Sequence, residues 1–311
     1  MHPTPVPDPG VDGSFAPLVI TEDPREERFP REPGAVRWSH DLGGGRMLDS
    51  LGINDGGRTL VVSFHGALDR DRYTLPRFER MASIRKLGLS SLYIADPTLH
   101  LDPKLQLAWY TGWPGLGLLD IIAEQVVRAA NAMSARTLIL SGSSGGGYAA
   151  LQVGARIEGA ITLAFNPQTH IHGYLYDGKP DSHGVERAYI EHVYPNAAPN
   201  GIWSIDFDVD WTEDAGPDYS AIRTYAVQRG NRILYANNLN DWHVAQHYVP
   251  FAEAYRAAHA RDLLTELNYE GREGHFPPSP AEFEAGMSAA LALVTEEESV
   301  AAPRHWRADA L

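Results

Sequence analysis

The residues of this chain best placed to do chemistry lie in one short turn. Residues 137–140 are an apolar run, residues 141–147 are all serine or glycine, and a helix-forming stretch opens at Tyr148. Inside the turn, Gly142, Ser143, Ser144, Gly145 and Gly146 spell G-x-S-x-G. Between a strand and a helix, this is the pattern of a nucleophile elbow. The demand behind it is steric. A serine at the tip of so tight a hairpin is held in a strained backbone conformation, and the residues two before and two after it approach each other so closely that only hydrogen fits. The turn also aims the unpaired N–H groups of the new helix at the hydroxyl. By this spacing Ser144 is the nucleophile. Ser143 competes, because Gly145 lies two residues after it, but Ser141 then stands where the leading glycine belongs. The turn is neither G-x-G-x-x-G nor a lysine-bearing P-loop, so phosphate cradling is not the chemistry it points to.

Such a turn works only if other elements bring partners to it. Residues 59–64 read as a strand buried on both faces, running into His65, Gly66 and Ala67. A helical segment follows over 75–87, then a strand over 91–95 that ends at Asp96 and Pro97. Residues 116–133 form an amphipathic helix with Leu118, Leu119, Ile122, Val126 and Ala129 on one stripe. After the elbow come strands over 160–165 and 232–236, a helix over 248–260 and a strand over 263–269. The last helix is announced by Ser279, Pro280 and Glu282, a capping box with proline at the first helical position. Strands alternating with helices give a mostly parallel sheet wrapped on both faces. Ahead of it, strands near 15–20, 35–40 and 46–53 suggest an antiparallel meander at one edge. Residues 1–14 read as a disordered lead-in, 295–311 as a loosely ordered tail, and 167–229 as a cap inserted between the core segments 15–166 and 230–294.

In open sheets of this kind, reactive groups gather beyond the carboxyl ends of the strands. There the chain offers His65, Asp96, Ser144, Asn166, the polar run 237–243 and then residues 270–275. The order of an elbow serine, an acid after a late strand and a histidine after the last strand resembles the α/β-hydrolase family over roughly residues 59–294. His65 and Gly66 look like its His-Gly oxyanion loop, Asp241 stands at the place of its acid, and Gly274 with His275 at that of its histidine. The resemblance implies an α/β-hydrolase fold with an inserted cap and a serine hydrolase whose catalytic residues are Ser144, Asp241 and His275. The oxyanion is then received by the backbone N–H groups of Ala67 and Gly145. Asp96 is the alternative acid, although it follows the wrong strand and Asp-Pro reads as a turn. His243 and His247, four apart, are the alternative histidines. They lack the glutamate of H-E-x-x-H, and read as surface or core residues, with His243 able to line the pocket.

His65, Trp109, Tyr110, Asn238 and His243 are expected to contact substrate. The inserted segment carries Tyr174, Tyr176, Tyr189, Trp203, Trp211 and Tyr219. Aromatic planes beside acidic acceptors suit sugars, although half or more of these rings are expected to form the cap's own core. Short stretches at 91–97, 109–112 and 238–247 also look like hydrolase-fold proteins of bacterial surface-polysaccharide and accessory-secretion systems. That makes a small-molecule or glycan-linked acyl substrate, and transfer as well as hydrolysis, the expectation. Asp206, Asp208 and Asp210 alternate as on one face of a strand and read as a solvated face, since the glycine and glutamate of an EF-hand loop are missing. His170 and His172 read as incidental. No metal, nucleotide or flavin is required.

Composition narrows the classes further. The 311 residues are 43% hydrophobic and include no cysteine. That is enough for a large core and leaves out disulfides, thiol nucleophiles and cysteine-ligated zinc. A net charge of −14 argues against binding a phosphate backbone. No apolar run reaches membrane-spanning length and the N-terminus lacks the features of a secretory signal, so the expected location is the cytoplasm.

Overall fold

The computed structural model describes residues 16–23, 25, 27–294 and 305–311. Its centre is a nine-stranded sheet, with strands numbered in chain order: β1 (Leu18–Thr21), β2 (Gly34–Asp41), β3 (Met47–Asn54), β4 (Thr59–Phe64), β5 (Ser90–Ile94), β6 (Thr137–Ser143), β7 (Ile161–Phe165), β8 (Arg232–Asn238) and β9 (Leu264–Tyr269). They lie in the order β1-β2-β3-β5-β4-β6-β7-β8-β9. From β5 to β9 all neighbours are parallel, while β3 runs antiparallel to both β2 and β5. One expected feature is corrected. β1 pairs with β2 in parallel, so the three N-terminal strands are not a simple antiparallel meander.

Strand alternation divides the core. Leu60, Val62 and Phe64 of β4 join Leu138 and Leu140 of β6 in one cluster with α2 (Leu118–Ala132) and α3 (Gly145–Gly154). Val61 and Ile139 face the opposite way, onto α1 (Met81–Lys86) and α7 (Pro280–Ala292). Side chains of alternate residues point to opposite faces, so a strand covered on both sides must be apolar throughout. The capping box at Ser279 and Glu282 is present as expected. α1 is shorter than expected. Pro76 supplies no N–H, and Arg80 at the helix start is left-handed with φ 65°. Among the described residues no helix is long and apolar enough to cross a membrane.

Between β7 and β8 the chain forms α4 (Gly184–His192), α5 (Ala221–Tyr225) and several single 3₁₀ turns. Residues 206–210 lie in turns, not in a strand, so the three aspartates share no face; Asp210 instead accepts from Thr212 and pairs with Arg223 at 3.1 Å. The C-terminal part of this insertion is fastened to the core. Arg156, at the end of α3, holds Asp120 of α2 at 2.6 Å and Asp218 of the insertion at 2.7 Å. Beside it Gln152 donates to Pro217 O and Tyr148 to Asp218 O. α6 (Val249–Ala258) follows a π-helical turn over Val244–Tyr248. The described part of the tail is not loose. Trp306 is buried, and its indole N–H donates to Ala135 O at 2.8 Å. The remainder of that expected tail, 295–304, and the expected lead-in, 1–14, lie outside the described residues.

Candidate active site

Ser144 stands between β6 and α3 with φ 57° and ψ −125°. A non-glycine residue in that region carries strain that the surroundings must hold. They do so on both sides. A Cβ on Gly142 would lie 2.3 Å from Gly146 C, and one on Gly146 would lie 2.4 Å from Phe64 O. The Ser144 N–H donates to Phe165 O at 3.0 Å, which ties the turn to β7. α3 begins at Gly145, three residues earlier than the sequence suggests, so the first free N–H of the helix belongs to the residue after the serine.

His275 brings Nε2 to 2.8 Å from Ser144 Oγ, and its Nδ1 lies 2.7 Å from Asp241 Oδ2. Asp241 and His275 come from the loops after β8 and β9, and a set of buried amides holds the two loops together. Asn238 Oδ1 accepts from Gly271 N at 2.9 Å, its Nδ2 donates to Arg272 O at 2.7 Å, and its own N–H donates to Asn166 Oδ1 at 2.6 Å. Gly274 N donates to Asn240 O. Burial alone would raise the Asp241 pKa, but hydrogen bonds from His243 and then His275 outweigh it and hold the carboxyl below the usual carboxylate range.

Two residues join this line in roles the motifs did not announce. His243 Nδ1 lies 2.9 Å from Asp241 Oδ1, the oxygen that also receives the His243 N–H. Its ring stacks on that of His275 with centroids 3.7 Å apart. Burial, then the neighbouring His275, push the His243 pKa down to about 4. Gln168, three residues beyond β7, puts Nε2 2.8 Å from Ser144 Oγ and 3.0 Å from His243 Nε2. Nothing around Gln168 in the sequence distinguishes it; its partners are 24 and 75 residues away. The potential ligand atoms of Asp241, His243 and His275 lie within 4.8 Å of one another, a spacing that would admit a metal ion. Both Nδ1 atoms, however, face the carboxylate, where each must carry a hydrogen and so has no lone pair to offer.

The loop after β4 lies against the serine. A Cβ on Gly66 would be 3.5 Å from Ser144 Cβ, and Ala67 beyond it is exposed. The five residues expected to contact substrate are all buried, with 0–2% of their surface accessible. Four of them support the site from behind. His65 Nδ1–H donates to Gly66 O at 2.7 Å, and its Nε2 accepts from Asp96 N at 3.0 Å. Tyr110 OH accepts from His65 N and donates to Ile94 O. Trp109 Nε1–H donates to Gln168 Oε1 at 3.2 Å, and Asn238 is the clamp described above. His243 bonds directly to Asp241 and, like Trp109, to Gln168. Asp96 serves Thr98 N and Tyr110 N, with burial raising its pKa, and makes no hydrogen bond to His275. His247 is buried, with Nδ1 accepting from Thr169 N. His170 packs its ring on His247, whereas His172 faces Glu186 at 3.4 Å, so the two do not act as a pair.

No family model and no curated protein matches this sequence. Solved structures do. The chain is similar to carboxyl esterase 2 of the fungus Tuber melanosporum, with a TM-score of 0.54 at 13% identity over 90% of each chain. It is similar to the capsule O-acetyltransferase of Neisseria meningitidis serogroup A, with a TM-score of 0.56 at 14% identity over 81% of this chain and 93% of that one. The chain has the α/β-hydrolase fold. A third similarity, with a TM-score of 0.50 at 17% identity over 84% of this chain, is to the glycosylation-associated Gap123 complex of Streptococcus agalactiae; this α/β-hydrolase fold spans 46% of the length of the chain matched there. In an α/β-hydrolase fold, Ser144, Asp241 and His275 stand in the chain order of that fold's nucleophile, acid and histidine.

Proposed function

We propose that this protein is a serine-dependent acyl hydrolase acting on a carboxylic ester. The observation that carries the proposal is the unbroken line from Ser144 Oγ through His275, at 2.8 Å, to Asp241, at 2.7 Å. Ser144 Oγ attacks the acyl carbon as its proton passes to His275 Nε2. Asp241 fixes the Nδ1–H tautomer and steadies the imidazolium. The carbonyl electron pair moves to oxygen, which is received by the N–H groups of Gly145 and Ala67. Collapse expels the alcohol, which takes the proton back from His275, and water then resolves the acyl-enzyme by the same steps in reverse.

Transfer to an acceptor alcohol in place of water is the second reading. It is favoured by the structural similarity to a capsule O-acetyltransferase, and a glycan-linked acyl group is then the substrate class. Intact-mass analysis after treatment with a fluorophosphonate tests the common step. One adduct is expected on the wild type and none on Ser144→Ala or His275→Ala. An unlabelled wild type that is folded would overturn both readings. Product analysis from short acyl esters and acetylated sugars, with and without an added sugar acceptor, then separates hydrolysis from transfer.

A further inference from the structure

The hydrogens around Ser144 can be assigned one after another. Trp109 Nε1 only donates, so the Gln168 atom it meets at 3.2 Å is the amide oxygen. The atom facing Ser144 is therefore the NH2 group, which has two hydrogens. One goes to Ser144 Oγ at 2.8 Å and the other to His243 Nε2 at 3.0 Å. His243 Nε2 is then an acceptor, so the single hydrogen of that neutral ring lies on Nδ1, which meets Asp241 Oδ1 at 2.9 Å. The other carboxylate oxygen receives His275 Nδ1–H at 2.7 Å, which leaves His275 Nε2 bare to accept the Ser144 hydroxyl hydrogen at 2.8 Å. The circuit closes on Ser144 with each hydrogen given to one acceptor. Turning the Gln168 amide over would oppose two N–H groups at Trp109 and two acceptors at His243.

We propose that Gln168 is a further catalytic residue of this site, its side-chain amide donating to the nucleophile oxygen and held in that position by Trp109 and His243. The proposal rests on the serine-nucleophile reading above. A donor already aimed at Oγ does two things. It takes one lone pair of the hydroxyl and so fixes the rotamer that sends the hydrogen to His275. It also stabilises the negative charge that builds on Oγ as the O–H bond breaks and the N–H bond forms at His275 Nε2, before the Oγ–C bond is complete. His243 is a positioning residue. Bound to the second oxygen of the same carboxylate, it presents a fixed lone pair to the second amide hydrogen.

The test is the second-order rate of fluorophosphonate labelling for the wild type, Gln168→Glu and Gln168→Met, together with the ¹⁵N spectrum of labelled histidines. An ionised glutamate has the shape of glutamine and still accepts from Trp109, but has no hydrogen for Ser144. Its second oxygen faces the His243 lone pair and draws a proton onto that ring. Labelling of Gln168→Glu is expected to be about 10- to 100-fold slower than wild type, at the same serine. His243 is expected to become an imidazolium at neutral pH in this variant. Gln168→Met, which keeps the volume without the charge, is expected to be slowed by a similar factor with His243 still neutral, and it decides the matter if the glutamate variant does not fold. Folded variants labelled within about twofold of a labelled wild type would overturn the proposal alone. An unlabelled wild type would overturn the serine reading and this proposal together.

Discussion

At the scale of single residues, the carboxylate of Asp241 serves two imidazoles, one at each oxygen. This makes Asp241→Asn more telling than in a site with one histidine. An asparagine has one accepting atom, and the side that receives both His243 N and His243 Nδ1 is the one that needs it more. The NH2 group then faces His275 Nδ1, which must give up its hydrogen to accept. His275 Nε2 becomes a donor and cannot take the serine proton. Esterase activity or labelling rate is expected to fall on the order of 10⁴-fold with the fold retained, which melting temperature and labelling rate measured together will check. Ser144, Asp241 and His275 could be singled out beforehand because each lies just beyond a strand end. Gln168 could not. It has meaning only beside Trp109, 59 residues before it, and His243, 75 residues after it. For the aromatic and amide residues expected to meet substrate, sequence does not tell which way a buried ring or amide points. Trp109, Tyr110 and Asn238 point into the scaffold.

At the scale of elements, the turn between β6 and α3 is where backbone approaches backbone. At Gly146 a methyl would meet the neighbouring strand end, Phe64 O at 2.4 Å and His65 O at 2.7 Å, neither of which can swing away. Gly146→Ala is expected to destabilise the protein by on the order of 3 kcal/mol, and to abolish labelling of whatever remains folded. A variant that melts like the wild type would contradict the account of the turn. The alternation of strand and helix was legible because fully buried strands are continuously apolar and α2 has a clear stripe. Three things were not. The pairing direction of β1 depends on the path of a connection, not on β1's own residues. The helix start at Gly145 lies in a glycine run with no propensity of its own. The turn carrying His247 is π-helical, and a spacing of four implies an α-helical face that it does not have.

At the scale of the whole molecule, the buried histidines set how stability follows pH. Burial lowers the pKa values of His65 and His247, and takes those of His170 and His243 to about 4. A group depressed in the folded state binds its proton more readily when unfolded, so stability is complete above the ordinary histidine value of 6.5 and is lost as pH falls toward 4. Asp49 and Asp96, raised by burial, oppose this over a window above 3.8, and His172, raised by Glu186 against its own burial, opposes it above 6.5, but these groups are fewer. Melting temperature is expected to drop across the first interval, and His247→Gln, which still accepts from Thr169, to make the drop shallower. A flat profile would contradict the burial of these rings. The remaining consequence lies in Arg156. Its two carboxylate partners belong to different layers, one to α2 and one to the insertion, so residues 217–225 are locked to the sheet's covering helices. The insertion therefore cannot lift away as one body. The α4 stretch is held as well, since Tyr189 is fully buried against Trp109 with its hydroxyl 2.6 Å from Thr111 Oγ1, so the insertion is fastened to the core at two separate places.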